Sequence, residues 1–415
     1  MTILRPFKAI RPREKLAHKV AALPYDVMSS EEAKKEAENN PYSFLHVDKA
    51  EIDLDPSIGK YDLKVYEKAR DNFKAMIDNK ILIKDKEEKL YIYKQIMDGK
   101  KQVGLVGSLS IDDYINKNIK KHENILTEKL IDRTNHINYC NANTGPIFLT
   151  YRPKEKINKI LEKWMDKKEP IYDFLAADSI THMVWNIDDN ATMNTLVDLF
   201  KDIDSLYIAD GHHRTAAAAE VAKIRRAENP RFTGKENFNY FLGVMFPSNQ
   251  LFIMDYNRIV SDLNGLNSKE FIEKLRENFI LEEMENQDPY KPKEKHSFGM
   301  YLENKWYKLK VKDDIFKTKN LLEKLDVSIL QNKVLDSILG IKDPSSDKRI
   351  EFIGGIRGLR ELEKRVDKGM AVAFSLYPTS IEDLMEISDK SNIMPAKSTW
   401  FEPKLRSGLF IHDLG

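Results

Sequence analysis

The chain has 415 residues, enough at about 100–200 residues per domain for two or three domains and for a core that folds without a disulfide or metal. Apolar residues make up 41% and charged residues 32%, and 67 Lys+Arg against 66 Asp+Glu leave a net charge of +1. That balance gives no electrostatic reason to expect a nucleic-acid or anionic-membrane partner. The one cysteine, Cys140, excludes a disulfide framework and any multi-cysteine zinc site. Met1 to Leu16 contains no apolar h-region, and no run approaches the apolar length of a membrane span. These features point to a cytoplasmic protein with a small-molecule substrate, and they leave the oligomeric state open.

Along the chain, Pro24 interrupts any helix near Ala22-Leu-Pro-Tyr-Asp26. Ser29-Ser30-Glu31-Glu32 reads as a capped helix start, and Ser43-Phe-Leu-His-Val47 as a short strand. An amphipathic helix is expected over 60–80. Strands at Lys89–Ile96 and Lys101–Ser110 flank the hairpin signal Asp98-Gly99. Gly104-Leu-Val-Gly107 lacks the lysine and spacing of a phosphate loop. A strand at Pro146–Tyr151 and a charged helix at Pro153–Asp166 lead into an α/β unit: strand Ile180–Ile187, helix Met193–Lys201, strand Ser205–Ala209 and a helix from about Thr215 to Ala227. Strands follow at Phe238–Phe246 and Gln250–Tyr256, then helices and a strand pair near Phe298–Val311. A βα step at Ile350–Val366 and a strand at Ala371–Ser375 come last. This mixture argues for α+β, or mixed α/β, rather than a pure class.

Three constellations carry chemistry. In the first, the apolar strand ends in Asp210, Gly211 permits a tight turn, and His212, His213 and Arg214 stand where an alanine-rich helix begins. Free N–H groups and the positive end of the dipole make such a helix start an anion site, and an arginine there can clamp phosphate in bidentate fashion. Asp210 could hold Mg²⁺ or orient a histidine. The second runs from Lys121 to Asn135. If it is helical throughout, Glu123 and Thr127 are i,i+4 neighbours, as are Lys129 and Arg133, with Asp132 close by. It offers a general base, His122 or Glu123, and phosphate ligands, Lys129 and Arg133, with Asp132 beside them as a substrate-binding residue. The alternative is a solvated helix laced with ion pairs. The third is Met394 to Gly408, where Lys397, Ser398, Thr399 and Lys404 sit beside the aromatic anchors Trp400 and Phe401. It reads either as an ordered loop closing over an anion or as a C-terminal tail packing on the core. Pro24-Tyr25-Asp26, His46 and Asp255-Tyr-Asn257-Arg258 are weaker signals. A zinc site from His122, His212 and His213 is a further alternative.

Ile208 to Ala219 resembles the ParB-like/sulfiredoxin-like superfamily, and within it Asp-Gly-His-x-Arg is most similar to the free serine kinases, which make O-phosphoserine from L-serine. The whole chain resembles the family named domain of unknown function 1015. That likeness rests on Arg5-Pro-Phe, Pro24-Tyr-Asp26, Ser43-Phe-Leu-His46, His122-Glu123 with Lys129, Asp132 and Arg133, the Asp-Gly-His-His-Arg turn, and Met394-Pro-Ala-Lys-Ser-Thr-Trp-Phe. The resemblance implies a ParB/sulfiredoxin-like core with added α/β elements. Asp210 would place a metal or the serine hydroxyl, and His212, His213 and Arg214 would hold the phosphoryl group. A carboxylate general base is also implied, with Glu123 the first candidate and Asp26 the second.

The resulting expectation is a metal-assisted free L-serine kinase using Mg²⁺ and ATP, ADP or pyrophosphate. The alternatives are a phosphatase or nucleotide hydrolase with the same site, and a ParB-like nucleotide- or DNA-binding regulator. Three regions are expected: 1–175 with the His-Glu…Lys-Asp-Arg segment, 176–262 as the ParB-like core with the Asp-Gly-His-His-Arg turn, and 263–415 ending in the Lys-Ser-Thr loop.

Overall fold

The computed structural model describes residues 2–285, 288–313, 315 and 317–415. It is a mixed α+β protein in two compact units. Residues 1–121, 125–251 and 403–415 form the first, and 122–124 and 252–402 the second.

The first unit is built on a nine-stranded sheet. Its path runs Ile119–Lys120, Leu206–Asp210, Ile147–Tyr151, Tyr240–Pro247, Lys100–Ser110, Leu90–Met97, Thr181–Ile187 and Tyr172–Leu175, and Leu4–Arg5 also pairs with Lys100–Ser110. The long hairpin turns at Asp98-Gly99 as its sequence dictates, with Gly99 at φ 75°. Leu206–Asp210 runs parallel to Ile119–Lys120 and antiparallel to Ile147–Tyr151. Gly104 and Gly107 lie inside the strand Lys100–Ser110, where a Cβ on Gly104 would meet Val244 and Phe246 at 2.6–2.8 Å. These glycines therefore serve sheet packing and not phosphate binding.

One apolar cluster gathers strand residues such as Ile92, Leu105, Leu149 and Ile208 with Leu161, Leu196, Phe200, Ala217 and Val221 from helices. Another gathers Phe44, Leu45, Val47, Val65, Phe73 and Met76 with Cys140 and Ile411. The expected helix over 60–80 spans Leu63–Asp78, capped by Asp62. Ser29 closes a reciprocal capping box with Glu32 at the start of Ser30–Ala37.

Ser43–Val47 is a correction. Leu45–Asp48 is helical, because the Ser43 hydroxyl accepts from the Leu45 N–H and the His46 ring is held by Asp53 and the Asn40 carbonyl. Local hydrogen bonds displaced the strand that the apolar run alone suggested.

The C-terminal segment is structural in the first unit. Ser407 bridges to Ala22, Ile411 to Ile10, and His412 pairs with Asn143. The second unit holds a six-stranded antiparallel sheet in the order Phe279–Glu283, Lys305–Val311, Ser297–Leu302, Val372–Leu376, Tyr256–Val260, Ile350–Gly354. Tyr301, Trp306, Ile353 and Leu362 anchor its core. No helix among the described residues is long and apolar enough to cross a membrane.

Candidate functional site

The strand Leu206–Asp210 delivers Asp210 to its C-terminal end, and Gly211, at φ 99°, turns the chain directly into the helix His212–Glu228. The helix starts three residues earlier than the sequence pattern placed it, so both histidines and Arg214 lie in its first turn. Gly211 ends up in the left-handed region, where a Cβ is strained, and that Cβ would also lie 3.2 Å from the Arg214 guanidinium and from Ile147. Gly211→Ala is accordingly expected to lower stability by about 1–2 kcal/mol, read as a shift of the urea midpoint. Thr215 ties the turn closed by bonding the Gly211 carbonyl through both N–H and hydroxyl, at 2.9 and 3.0 Å. Thr215, Ala217, Ala218 and Ala222 are buried, and the alanine run lets the helix pack closely on Thr127–Cys140.

Asp210 is met by Lys404, whose ammonium donates to Oδ2 at 3.2 Å. Burial alone would raise the Asp210 carboxyl. Lys404, then Arg214 and His212, outweigh that and hold it far below the usual carboxylate range. Lys404 is itself positioned by a buried chain of amides: Gln95 donates to the Lys404 carbonyl at 2.9 Å, and Gln102 donates to Gln95 at 2.8 Å. Arg214 donates from Nη1 to the Pro146 carbonyl at 2.7 Å, while its buried Nε has no hydrogen-bond partner among the described residues. His213 accepts the Leu126 N–H through Nε2 at 3.2 Å, and His212 is buried.

The helix of the second constellation spans Thr127–Cys140, with Leu126 extended before it. The expected helical pairing of Glu123 with Thr127 is therefore corrected. Residues 121–126 are not helical, and the Leu126 backbone is held by His213 instead. Arg133 and Asp132 are buried neighbours joined at 2.9 Å, with Tyr66 donating to the other Asp132 oxygen at 3.1 Å. The Arg133 guanidinium lies 4.0 Å from the Tyr25 ring centroid. Burial opposes the charge of both residues, but each holds the other ionised: Asp132 titrates below its ordinary range and Arg133 above. Lys129 points elsewhere, its ammonium 5.8 Å from the Tyr61 ring.

A small pocket opens beside Arg214. It is lined by Arg133, Tyr25, Asp48, His136, Asn143, Thr144 and Gly145, with Ile137, Ile147 and Phe241 among its apolar wall. Asp48 accepts from the Thr144 hydroxyl at 2.8 Å, and the buried Asn143 Oδ1 has no hydrogen-bond partner among the described residues. His136 is bonded to the Val47 carbonyl at 3.0 Å; burial, then Arg133, keeps it neutral.

The sequence-designated residues thus fall in two sets. Asp210, His212, His213, Arg214, Lys129, Asp132, Arg133 and Lys404 belong to the first unit; His122, Glu123, Lys397, Ser398 and Thr399 belong to the second. The Met394–Gly408 segment is divided between them. In the second unit His122 Nε2 is 3.2 Å from the Thr399 hydroxyl, and the His122 carbonyl accepts the Met394 N–H at 2.8 Å. Arg258 donates to the Lys397 carbonyl at 2.9 Å, and the Ser398 hydroxyl bonds the Pro395 carbonyl at 2.6 Å. Asp48, Asn143 and Thr144 were missed in the sequence. The Asn143-Thr-Gly-Pro146 run is a turn signal at a helix end and was the clue available.

Among the described residues no group of three His, Cys, Asp or Glu side chains could hold a metal ion. Asp210 already faces an ammonium and a guanidinium. The described residues thus offer no set of three such side chains for a protein-built Mg²⁺ or zinc site. What they build is a cradle of positive charge around one carboxylate.

No curated protein matches the chain. Among solved structures it is similar to a free serine kinase in complex with AMP, at 15% identity and a TM-score of 0.37, over 72% of this chain and 90% of that one. It is also similar to SbnI with a C-terminal truncation from Staphylococcus aureus, at 13% identity and a TM-score of 0.38, over 73% and 85%. A conserved hypothetical protein from Pyrococcus furiosus follows at 14% and 0.36, over 73% and 93%. The model of the family described as protein of unknown function DUF1015 matches residues 4–328, most of the chain, and the chain belongs to that family.

Proposed function

We propose that the chain is a phosphotransferase acting on a small hydroxyl substrate, with L-serine as acceptor, O-phosphoserine as product, and ATP, ADP or pyrophosphate as donor. One observation carries this reading: Arg214 and Lys404 converge on Asp210 at the N-terminus of a 17-residue helix. Phosphoryl transfer asks mainly for positioning and charge neutralisation, and this turn supplies both.

The N–H groups of the first helical turn and the Lys404 ammonium would bind the terminal phosphate oxygens, with the Arg214 guanidinium beside them. Asp210 would hold Lys404 and Arg214 in place and accept a hydrogen bond from the substrate hydroxyl. The substrate oxygen forms its bond to phosphorus as the bond to the leaving phosphate oxygen breaks, and the hydroxyl proton passes to a base. Asp26, which follows the pocket residue Tyr25 in the chain, is the carboxylate we assign to that role within the first unit. Glu123 and His122, the other candidates, are residues of the second unit.

The test incubates purified protein with Mg²⁺, L-serine and, separately, ATP, ADP or pyrophosphate, following O-phosphoserine by phosphorus NMR. One donor is expected to give phosphoserine. His213→Ala should reduce the rate at least about tenfold, because the helix start loses its tie to Leu126. Release of inorganic phosphate that is indifferent to serine would replace this reading with hydrolysis. No product from any donor would overturn it.

A further inference from the structure

The pocket beside the Asp-Gly-His-His-Arg turn is lined by two residues with complementary unmet hydrogen-bonding groups. Arg214 Nε is a buried donor and Asn143 Oδ1 a buried acceptor, and neither has a partner among the described residues. A buried polar atom left unpaired is costly, by roughly 1–3 kcal/mol, so two of opposite sense lining one small pocket point to a ligand carrying both a donor and an acceptor. Arg133 engages Asp132 through Nε, and its guanidinium also lines the pocket, stacked on Tyr25. Asp48, also in the lining, keeps one oxygen on the Thr144 hydroxyl.

Formal charge narrows the ligand. The lining holds Arg133, Arg214 and Asp48, and Asp132, bonded to Arg133, balances the second arginine. A phosphate dianion placed here would confront the Asp48 carboxylate. A molecule of zero net charge with separated ends meets no such repulsion, and its carboxylate gains the planar fork that arginine presents.

We propose that this pocket binds a small α-amino acid as its zwitterion, the carboxylate on Arg133 and Arg214 and the ammonium on Asp48 and Asn143 Oδ1. Its role as the acceptor subsite rests on the phosphotransfer reading above; its existence as a binding site does not. Arg214 would then meet the amino acid through its unpaired Nε, while its Nη2 lies beside Gly211. The substrate hydroxyl would be held next to the phosphate cradle by its own backbone groups.

The experiment is calorimetric titration of the full chain without any phosphoryl donor. The probes are L-serine, glycerate (which lacks the ammonium), ethanolamine (which lacks the carboxylate) and inorganic phosphate. L-serine is expected to bind, and both truncated probes at least tenfold more weakly. Asp48→Asn, which keeps an acceptor for Thr144, is expected to weaken L-serine at least tenfold while the thermal midpoint stays within a few degrees. Asn143→Ala provides a second, independent loss. Equal binding of glycerate and L-serine, competition by phosphate for the same site, or no binding of any probe overturns the proposal. L-serine binding that depends on Asp48, without phosphoserine formation under any donor, would keep the pocket and sink the kinase. Phosphoserine formation with an unchanged KM for serine in Asp48→Asn would do the reverse.

Discussion

Replacing Lys404 with alanine is expected to destabilise the protein by about 3 kcal/mol and to reduce phosphotransfer by about two orders of magnitude. The stability term follows from what is left behind. Lys404 and Asp210 are joined at 3.2 Å, with 9% and 23% of their side chains exposed. Removing the ammonium strands a largely desolvated carboxylate, which falls back on Arg214, and breaking a buried pair by deleting one partner is far worse than never having built it. Asp210→Asn combined with Lys404→Met should therefore be more stable than the sum of the single losses, the coupling being at least about 1 kcal/mol in a double-mutant cycle. Strict additivity in urea titrations would mean that the two side chains do not act on each other. The activity term is separate. An ammonium aimed at developing charge in a water-poor site acts in the transition state, so kcat should fall more than KM rises.

That pair also shows where sequence reasoning reaches and where it stops. The Asp-Gly-His-His-Arg turn could be read from local chemistry alone: an apolar strand ending in an acid, a glycine able to adopt positive φ, and small residues suited to close helix packing. All of these are short-range rules, and the structure bears them out at Asp210, Gly211 and Ala217. The partner of Asp210 lies 194 residues away. Lys404 was visible as one cation in a basic, aromatic segment. What could not be read is that the chain passes from one compact unit to the other between Glu402 and Pro403, so that Lys397 and Lys404 serve different bodies.

The pocket residues illustrate a second limit. Asp48 follows an apolar run that alternation rules assign to a strand, yet the Ser43 and His46 side chains bond the local backbone and the run coils into a helical turn. Asp48 accordingly reaches Thr144, 96 residues on, a contact that no periodicity announces. Helix existence was easier to read than helix limits. Residues 121–135 were legible as a charged helical stretch, but Leu126 needs His213 to fix where the helix begins. Hairpin and cap signals at Asp98-Gly99 and Ser29 placed their elements correctly because the determinants are a few residues apart.

Acidification below pH 6.5 should destabilise the protein through its buried, neutral histidines, with Asp326, whose carboxyl burial raises to about 7, taking up its proton in the folded chain and offsetting part of the loss. His412 is buried with Nε2 on the Asn237 carbonyl; burial, partly offset by that hydrogen bond, pushes its pKa from 6.5 down to about 4. His182, enclosed by Tyr93, Phe174 and Arg406, is lowered by burial and then by the arginine. His136 is lowered by burial and then by Arg133. Each is neutral when folded. Above pH 6.5 the unfolded histidines are neutral as well, and the contribution is complete. As pH falls below 6.5 the unfolded chain takes up protons that the folded chain refuses, so stability declines until the folded pKa is reached. For His412 alone the loss between pH 6.5 and about 4 is about 3 kcal/mol. His46 works in the other direction: its hydrogen bond to Asp53 raises it, so its contribution is complete in acid and fades only as pH rises through the folded pKa. It therefore does not offset the acid loss. Urea unfolding should show a free energy that falls as pH drops from 6.5 towards 4.5, and no such fall between 7.5 and 6.5. His412→Gln, which retains a donor for the Asn237 carbonyl but cannot titrate, should reduce the slope by about one proton. An unchanged slope in that variant would mean that His412 already carries its proton in the folded state, and that the interior around it is wetter than its burial implies.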